Sequence, residues 1–193
     1  FNNNYKITPQ VFDVWMRLLE QVENSVLWIL SENINISKNL KKEATIRGID
    51  FNRIVFAERI KMNEHLARQK VADLFIDTFP YTGHTTASDA LWVGLPVLTR
   101  IGKSFASRVS ASLLNAIGLS TLVTSSAKEY EDLAIELATN PAKLKEIKNK
   151  LKNNRNTKAL FNTPVFTRNI EKAYSLMYER YLINLPLDNI EIN

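Results

Sequence analysis

The chain contains no cysteine and only two histidines, His65 and His84. Without cysteine there is no disulfide framework, no thiolate metal site and no cysteine nucleophile. Two histidines leave any zinc site to be completed by carboxylates, and no His-Glu-x-x-His or similar helical spacing supplies them. No metal is expected. Long apolar runs are also missing: Val26 to Leu30 is the length of a strand, far short of a membrane span. Phe1 is followed by no basic-then-apolar leader. The expectation is a fragment of a larger cytoplasmic protein that makes no use of the membrane.

Against these absences stands an ordinary globular composition, 45% hydrophobic and 23% charged. The net charge of +5 invites a nucleic-acid reading. That surplus is local, because residues 141 to 158 hold seven basic residues against Glu146 and leave the rest of the chain nearly neutral. No aromatic residue interleaves with them as a stacking platform requires, so a solvated helix face is the plainer reading and nucleic acid ranks last.

Short apolar runs alternate with helical periodicity. Thr8 and Pro9 open a helix carrying Val11, Phe12, Trp15, Leu18, Leu19 and Val22 on one side. Strands are predicted at 26–30, 53–57, 74–77, 96–99 and 121–124. Helices are predicted from Ser37 to Arg47, at 63–71, 85–93, 105–117 and 128–138, with Gly48, Gly94 and Gly118 as terminators. Such alternation indicates βαβ units in a Rossmann-like, doubly wound parallel sheet of the α/β class. One domain is expected, with an α/β core over 1–140 and C-terminal helices over 141–193. In the last of these Phe166, Ile170, Tyr174, Met177 and Tyr181 share a face.

Glycine is scarce, and four of the five glycines lie between Gly83 and Gly118. Gly83-His84-Thr85-Thr86 follows a strand and opens a helix. In an open α/β sheet, ligands sit at the carboxyl ends of strands, where helix N-termini offer free N–H groups and a positive dipole. Gly83 would let backbone approach a phosphate, and the hydroxyls of Thr85 and Thr86 would add donors. An ordinary threonine cap after a tight turn explains the same residues. Two phosphate motifs fail: there is no G-x-G-x-x-G, and Gly102-Lys103-Ser104 has Val97 where a P-loop needs glycine. Lys6 could neutralise a phosphate or simply be solvated. His65 could stack on a base, and Asp89, one turn after Thr85, could accept ribose hydroxyls.

The stretches Phe1-Asn2-Asn3-Asn4-Tyr5-Lys6-Ile7-Thr8-Pro9, Leu74 to Thr86, Asp89 to Val97, Ala106-Ser107-Arg108-Val109, Glu129 to Asp132, Leu160 to Thr163 and Tyr178-Glu179-Arg180-Tyr181 occur in one order. Together they resemble the C-terminal catalytic half of O-linked N-acetylglucosamine transferases and the related SPINDLY proteins. The resemblance implies a GT-B fold, of which this chain would be the donor-nucleotide domain, cut just after its first strand. It implies a metal-independent transfer of sugar from a nucleotide donor to Ser or Thr hydroxyls of a protein acceptor. Lys6 would be the catalytic residue at the diphosphate, with Asn3 nearby. Gly83, His84, Thr85 and Thr86 would hold the diphosphate, Asp89 the ribose, and His65, Arg68 and the backbone of Ile60 the base. Met62 stands where the transferases carry a lysine near the base. The Asp77-Thr78-Phe79-Pro80-Tyr81 stretch is closer to the fucose-transferring branch, whereas His84 and Asp89 favour the N-acetylglucosamine branch. UDP-N-acetylglucosamine is the favoured donor and GDP-fucose the alternative. The N-terminal catalytic domain and tetratricopeptide repeats of such enzymes would lie elsewhere in a longer chain, and a noncatalytic nucleotide-binding or protein-interaction module is the second possibility.

Overall fold

Thr8 and Pro9 start the first helix as their chemistry dictates. Thr8 has extended backbone and accepts the Val11 N–H at 3.3 Å, while Pro9 occupies the first helical position. The helix α1 (Pro9–Gln21) buries Val11, Phe12, Val14, Trp15, Met16, Leu18 and Leu19. The structure is a computed structural model in which residues 2–31 and 33–192 are described, so Phe1 of the first motif lies outside the described residues. Then follow β1 (Leu27–Leu30), α2 (Ile34–Ile46), β2 (Ile54–Ala57), α3 (Met62–Gln69), β3 (Phe75–Ile76), α4 (Thr85–Val93) and β4 (Val97–Arg100). The chain continues through α5 (Val109–Ala116), β5 (Val123–Thr124), α6 (Ala127–Thr139), α7 (Pro141–Thr157) and α8 (Thr163–Leu182). Gly48, Gly94 and Gly118 follow α2, α4 and α5 with φ of +80°, +91° and +75°, a conformation glycine reaches without a Cβ penalty.

The strands pair in parallel, as continuous apolar runs suggest. Leu27 lies opposite Ile54 in the β1–β2 pair; Phe75 lies opposite Val97 and Thr99 opposite Val123 in the order β3–β4–β5. A single doubly wound sheet is the sequence expectation. Among the described residues the hydrogen-bonded ladders instead form two groups, β1–β2 and β3–β4–β5. A cavity of about 680 Å³ is lined by Leu27, Trp28 and Ile29 of β1 and by Phe75 and Ile76 of β3, together with residues of α1, α6 and α7. Side chains bridge the two groups: one core cluster joins Leu27, Ile29 and Ile54 to Phe79, Leu98 and Tyr130. A second cluster, including Leu91, Val97, Leu114, Leu137 and Leu151, packs helices α4 to α7 on β4.

Several boundaries differ from expectation, each for a local reason. Helix α2 begins before Ser37 because the Asn33 carboxamide accepts the Asn35 N–H at 2.8 Å; Ser37 lies inside the helix, its hydroxyl on Ser31 at 3.0 Å. The helix predicted at 105–117 splits into a 3-10 turn, Phe105–Ser107, and α5. The Ala106 carbonyl accepts the Thr82 N–H at 3.0 Å and the Ser107 carbonyl accepts the Gly102 N–H at 3.0 Å, so neither is free to extend the helix downstream. Residues 120 to 122 form a 3-10 turn, which shortens β5.

The basic helix α7 is more engaged than a plain solvated face. Lys143 pairs with Glu136 at 2.6 Å, Lys148 with Asp73 at 3.0 Å, and Arg155 donates to the Trp92 carbonyl at 2.7 Å. Helix α8 carries the expected apolar stripe, yet buries no residue, and Phe166, Tyr174, Met177 and Tyr181 are all exposed. No helix among the described residues is long and apolar enough to cross a membrane.

Candidate functional site

At the carboxyl end of β3 the chain turns through 77–83 into α4. The first hydrogen bond of α4 runs from the Ser88 N–H to the His84 carbonyl at 3.0 Å, which leaves the N–H groups of Thr85, Thr86 and Ala87 without intrahelical acceptors. Helices α1, α2, α6, α7 and α8 cover such groups with side-chain caps from Thr8, Asn33, Ser126, Asn140 and Asn162, whereas α3, α4 and α5 have none. His84 stands at the cap position of α4 and makes no such bond. Its Nε2 is buried with no hydrogen-bond partner. An uncapped helix end with a positive dipole beside an unused imidazole nitrogen is suited to an anion.

Gly83 earns its place on the inner side of this turn. A Cβ there would come within 3.0 Å of the Ala87 Cβ, 3.1 Å of the Thr86 hydroxyl and 3.2 Å of Asp77 Oδ1. A side chain there would have to push these neighbours back by a few tenths of an ångström, so the close packing of the loop on its own helix favours glycine. Thr85 is exposed on the outer side, whereas the half-buried Thr86 donates its hydroxyl to Asn2 Oδ1 at 2.6 Å. Thr85 is thus open to a ligand through both backbone and side chain, while the Thr86 hydroxyl proton is already committed.

Lys6 ends a 3-10 turn, Asn4–Lys6, and is 8% exposed. Its Nζ donates to the Thr82 carbonyl at 2.8 Å and lies 4.0 Å from the centre of the Tyr81 ring. An ammonium has three N–H donors, so these two contacts leave capacity for another acceptor. Burial pushes the Lys6 ammonium below the ordinary lysine range, and the negative charge of Asp77 opposes this. Tyr81 also packs against His84, with ring centres 5.2 Å apart, which places Lys6 beside the open end of α4. Asn3 caps the 3-10 turn only by position; it is exposed and its side chain makes no cap bond.

The proposed base-side residues come from the β2–α3 connection. Arg68 donates from Nε and Nη2 to His65 Nδ1, at 3.1 and 2.8 Å, and from Nη1 to the Glu58 carbonyl at 2.7 Å. Guanidinium can only donate, so Nδ1 is the accepting nitrogen of a neutral ring. Burial and the Arg68 charge lower the His65 pKa, whereas Asp89 acts in the opposite direction. Burial raises the Asp89 pKa and His65 opposes it. His65 on α3 thereby lies near Asp89 on α4, with Arg68 held against the other side of the imidazole. Ile60, 39% exposed, lies in the loop before α3.

Two features escaped the sequence reading. Asn2 donates to Asp77 Oδ1 and to the Thr78 hydroxyl, both at 2.8 Å, making it and not Asn3 the knot of the first loop. A run of three asparagines carries no signal of which one turns inward. The second is a row of rings, Tyr5, Tyr81, His84 and Phe105, with successive centres 6.0, 5.2 and 5.9 Å apart. Apart from the neighbours Tyr81 and His84, its members lie far apart in sequence.

The matching sequence family is Glycosyl transferase family 41, whose model covers residues 1–170. This chain belongs to that family. Family 41 relatives include the Caenorhabditis elegans UDP-N-acetylglucosamine–peptide N-acetylglucosaminyltransferase, 36% identical over the whole of this chain and 17% of its own length. A probable enzyme of the same name from Arabidopsis thaliana, SEC, is 35% identical over 92% of this chain and 18% of its own. Among solved structures, a mutant of the Thermobaculum terrenum O-GlcNAc transferase superposes with a TM-score of 0.87 at 30% identity, covering 92% of this chain and 35% of that one. The chain thus spans less than one fifth of those two curated relatives. The α/β fold expected from the resemblance stands.

Proposed function

We propose that this chain forms the donor-nucleotide half of a protein O-glycosyltransferase active site, with UDP-N-acetylglucosamine as the favoured donor. The observation that carries the reading is the uncapped N-terminus of α4, with the open Nε2 of His84 and the buried Lys6 beside it. The diphosphate would lie on the N–H groups of Thr85 and Thr86, with Asp89 at the ribose and Ile60, His65 and Arg68 around the base. When the bond from sugar to phosphate breaks, charge grows on the leaving diphosphate. Fixed N–H dipoles and the Lys6 ammonium stabilise that charge without reorganising, which lowers the barrier more than it strengthens ground-state binding. Metal-independent transfer, a protein acceptor and a cytoplasmic location belong to this proposal, as do the remaining catalytic domain and repeats of a longer chain.

Calorimetric titration of the full-length protein with UDP and with GDP tests it. Heat of binding with UDP supports the favoured donor. Binding of GDP alone transfers the assignment to GDP-fucose, a reading that the exposed Met62 at the start of α3 leaves room for. No binding of either at millimolar concentration overturns the nucleotide reading in favour of an interaction module. By itself the chain is expected to bind nucleotide weakly and to transfer nothing.

A further inference from the structure

Asp77 is fully buried, directly beneath the candidate site. Its Oδ1 accepts three N–H donors that cannot do anything but donate: Asn2 Nδ2 at 2.8 Å, the Thr78 backbone at 2.9 Å and the Gly83 backbone at 2.7 Å. Its Oδ2 accepts from the Thr99 hydroxyl at 2.8 Å, and its own carbonyl accepts from the Tyr130 hydroxyl at 2.9 Å. One carboxylate therefore ties together the Asn2–Lys6 turn, the 77–83 loop and the strand β4. A neutral amide could satisfy the same donors, so hydrogen bonding alone gives no reason for a buried charge here.

The reason lies in what the network supports. Lys6 and Asp77 are linked through Asn2 on one side and through the 77–83 loop, whose Thr82 carbonyl holds Lys6 Nζ, on the other. Burial pushes the Asp77 carboxyl above its ordinary range, and hydrogen bonds from Ser110, Thr99, the Gly83 N–H and Asn2 oppose this by favouring the carboxylate. The other polar neighbours of the network, Tyr5, Tyr81, His84 and Tyr130, include no second carboxylate. We propose that Asp77 is a positioning residue of the donor site: held as a carboxylate by these donors, it locks the Lys6 turn onto the start of α4 and places a buried negative charge in the network that carries the Lys6 ammonium to the diphosphate. This rests on the proposed function of Lys6 and adds the group through which Lys6 is controlled.

The test uses the full-length protein and UDP as probe, with affinity measured from pH 6 to pH 10 for wild type, Asp77→Asn and Thr99→Val. In Asp77→Asn the amide oxygen retains the three N–H donors, and the Thr99 hydroxyl can turn to accept from the new NH2 group. The alkaline limb of UDP affinity is expected to fall to lower pH, with binding weakened by up to about tenfold at pH values above both limbs. Thr99→Val removes a bond to Asp77 without removing charge, and its alkaline limb is expected to stay in place. An unmoved limb in Asp77→Asn, or an equal movement in Thr99→Val, overturns the proposal. Should Asp77→Asn not fold, Asn2→Ala decides it: this change cuts the tie between the Lys6 turn and the Asp77 carboxylate and must weaken UDP binding where Thr99→Val does not; equal affinities in the two variants overturn the proposal. A wild-type protein that binds no UDP would instead refute the nucleotide reading on which the proposal stands, an outcome distinct from normal binding with unshifted limbs.

Discussion

A buried ammonium such as that of Lys6 is held at a cost, and its pH dependence follows. Because burial lowers its pKa in the folded protein, the unfolded chain binds the proton more readily between the lowered value and the ordinary one near 10.5. Stability contributed by this group therefore rises as pH climbs through that window. Nucleotide affinity must do the opposite, since the same titration removes the positive charge. Thermal melts and UDP titrations of one preparation between pH 8 and pH 10.5 should diverge; parallel trends would exclude Lys6 as the phosphate cation. Replacing Lys6 by Met in the full-length enzyme is expected to lower kcat by about 100- to 1,000-fold, with a smaller change in KM for the donor. An equal loss in both would assign Lys6 to ground-state binding. The places of His84 and Asp89 at the start of α4 were legible in sequence from the strand and glycine before them, whereas a role for Lys6 came from the family resemblance. Asn2 and Asp77 were not, because their partners, 75 residues apart, meet only through the sheet.

Helix α4 shows the same balance one level up. Five helices close their N-termini with a side chain, whereas α3, α4 and α5 do not. His84→Asp would supply the missing cap, and is expected to raise stability by about 1 kcal/mol while weakening UDP binding at least tenfold through lost N–H donors and like-charge repulsion. A variant that gains stability and keeps full affinity would place the diphosphate elsewhere. At α1 the reverse change, Thr8→Ala, is expected to lower stability by about 1 kcal/mol and leave UDP affinity unaltered, as followed by denaturant unfolding. Helix positions were readable from periodicity and glycine terminators. The break before α5 was not, because the carbonyls of Ala106 and Ser107 are claimed by a loop more than twenty residues away or by Gly102, contacts that leave no periodic trace.

Across the whole molecule, strand β4 is flanked by β3 and β5, whereas β1 and β3 each pair on one side among the described ladders and both line the cavity. Amide hydrogen exchange should accordingly be slowest in β4 and faster in β1 and β3; equal protection across these strands would show that the cavity wall is closed in solution. The seam also has a bearing on ligand binding. His65 and Arg68 follow the β1–β2 pair, while Gly83 to Asp89 follow β3, so the two ends of the candidate site belong to different halves of the sheet. A nucleoside diphosphate laid across both would act as a clasp on the seam. By linkage, whatever tightens the seam should sharpen affinity for the donor, and the donor should in turn make the protein harder to pull apart.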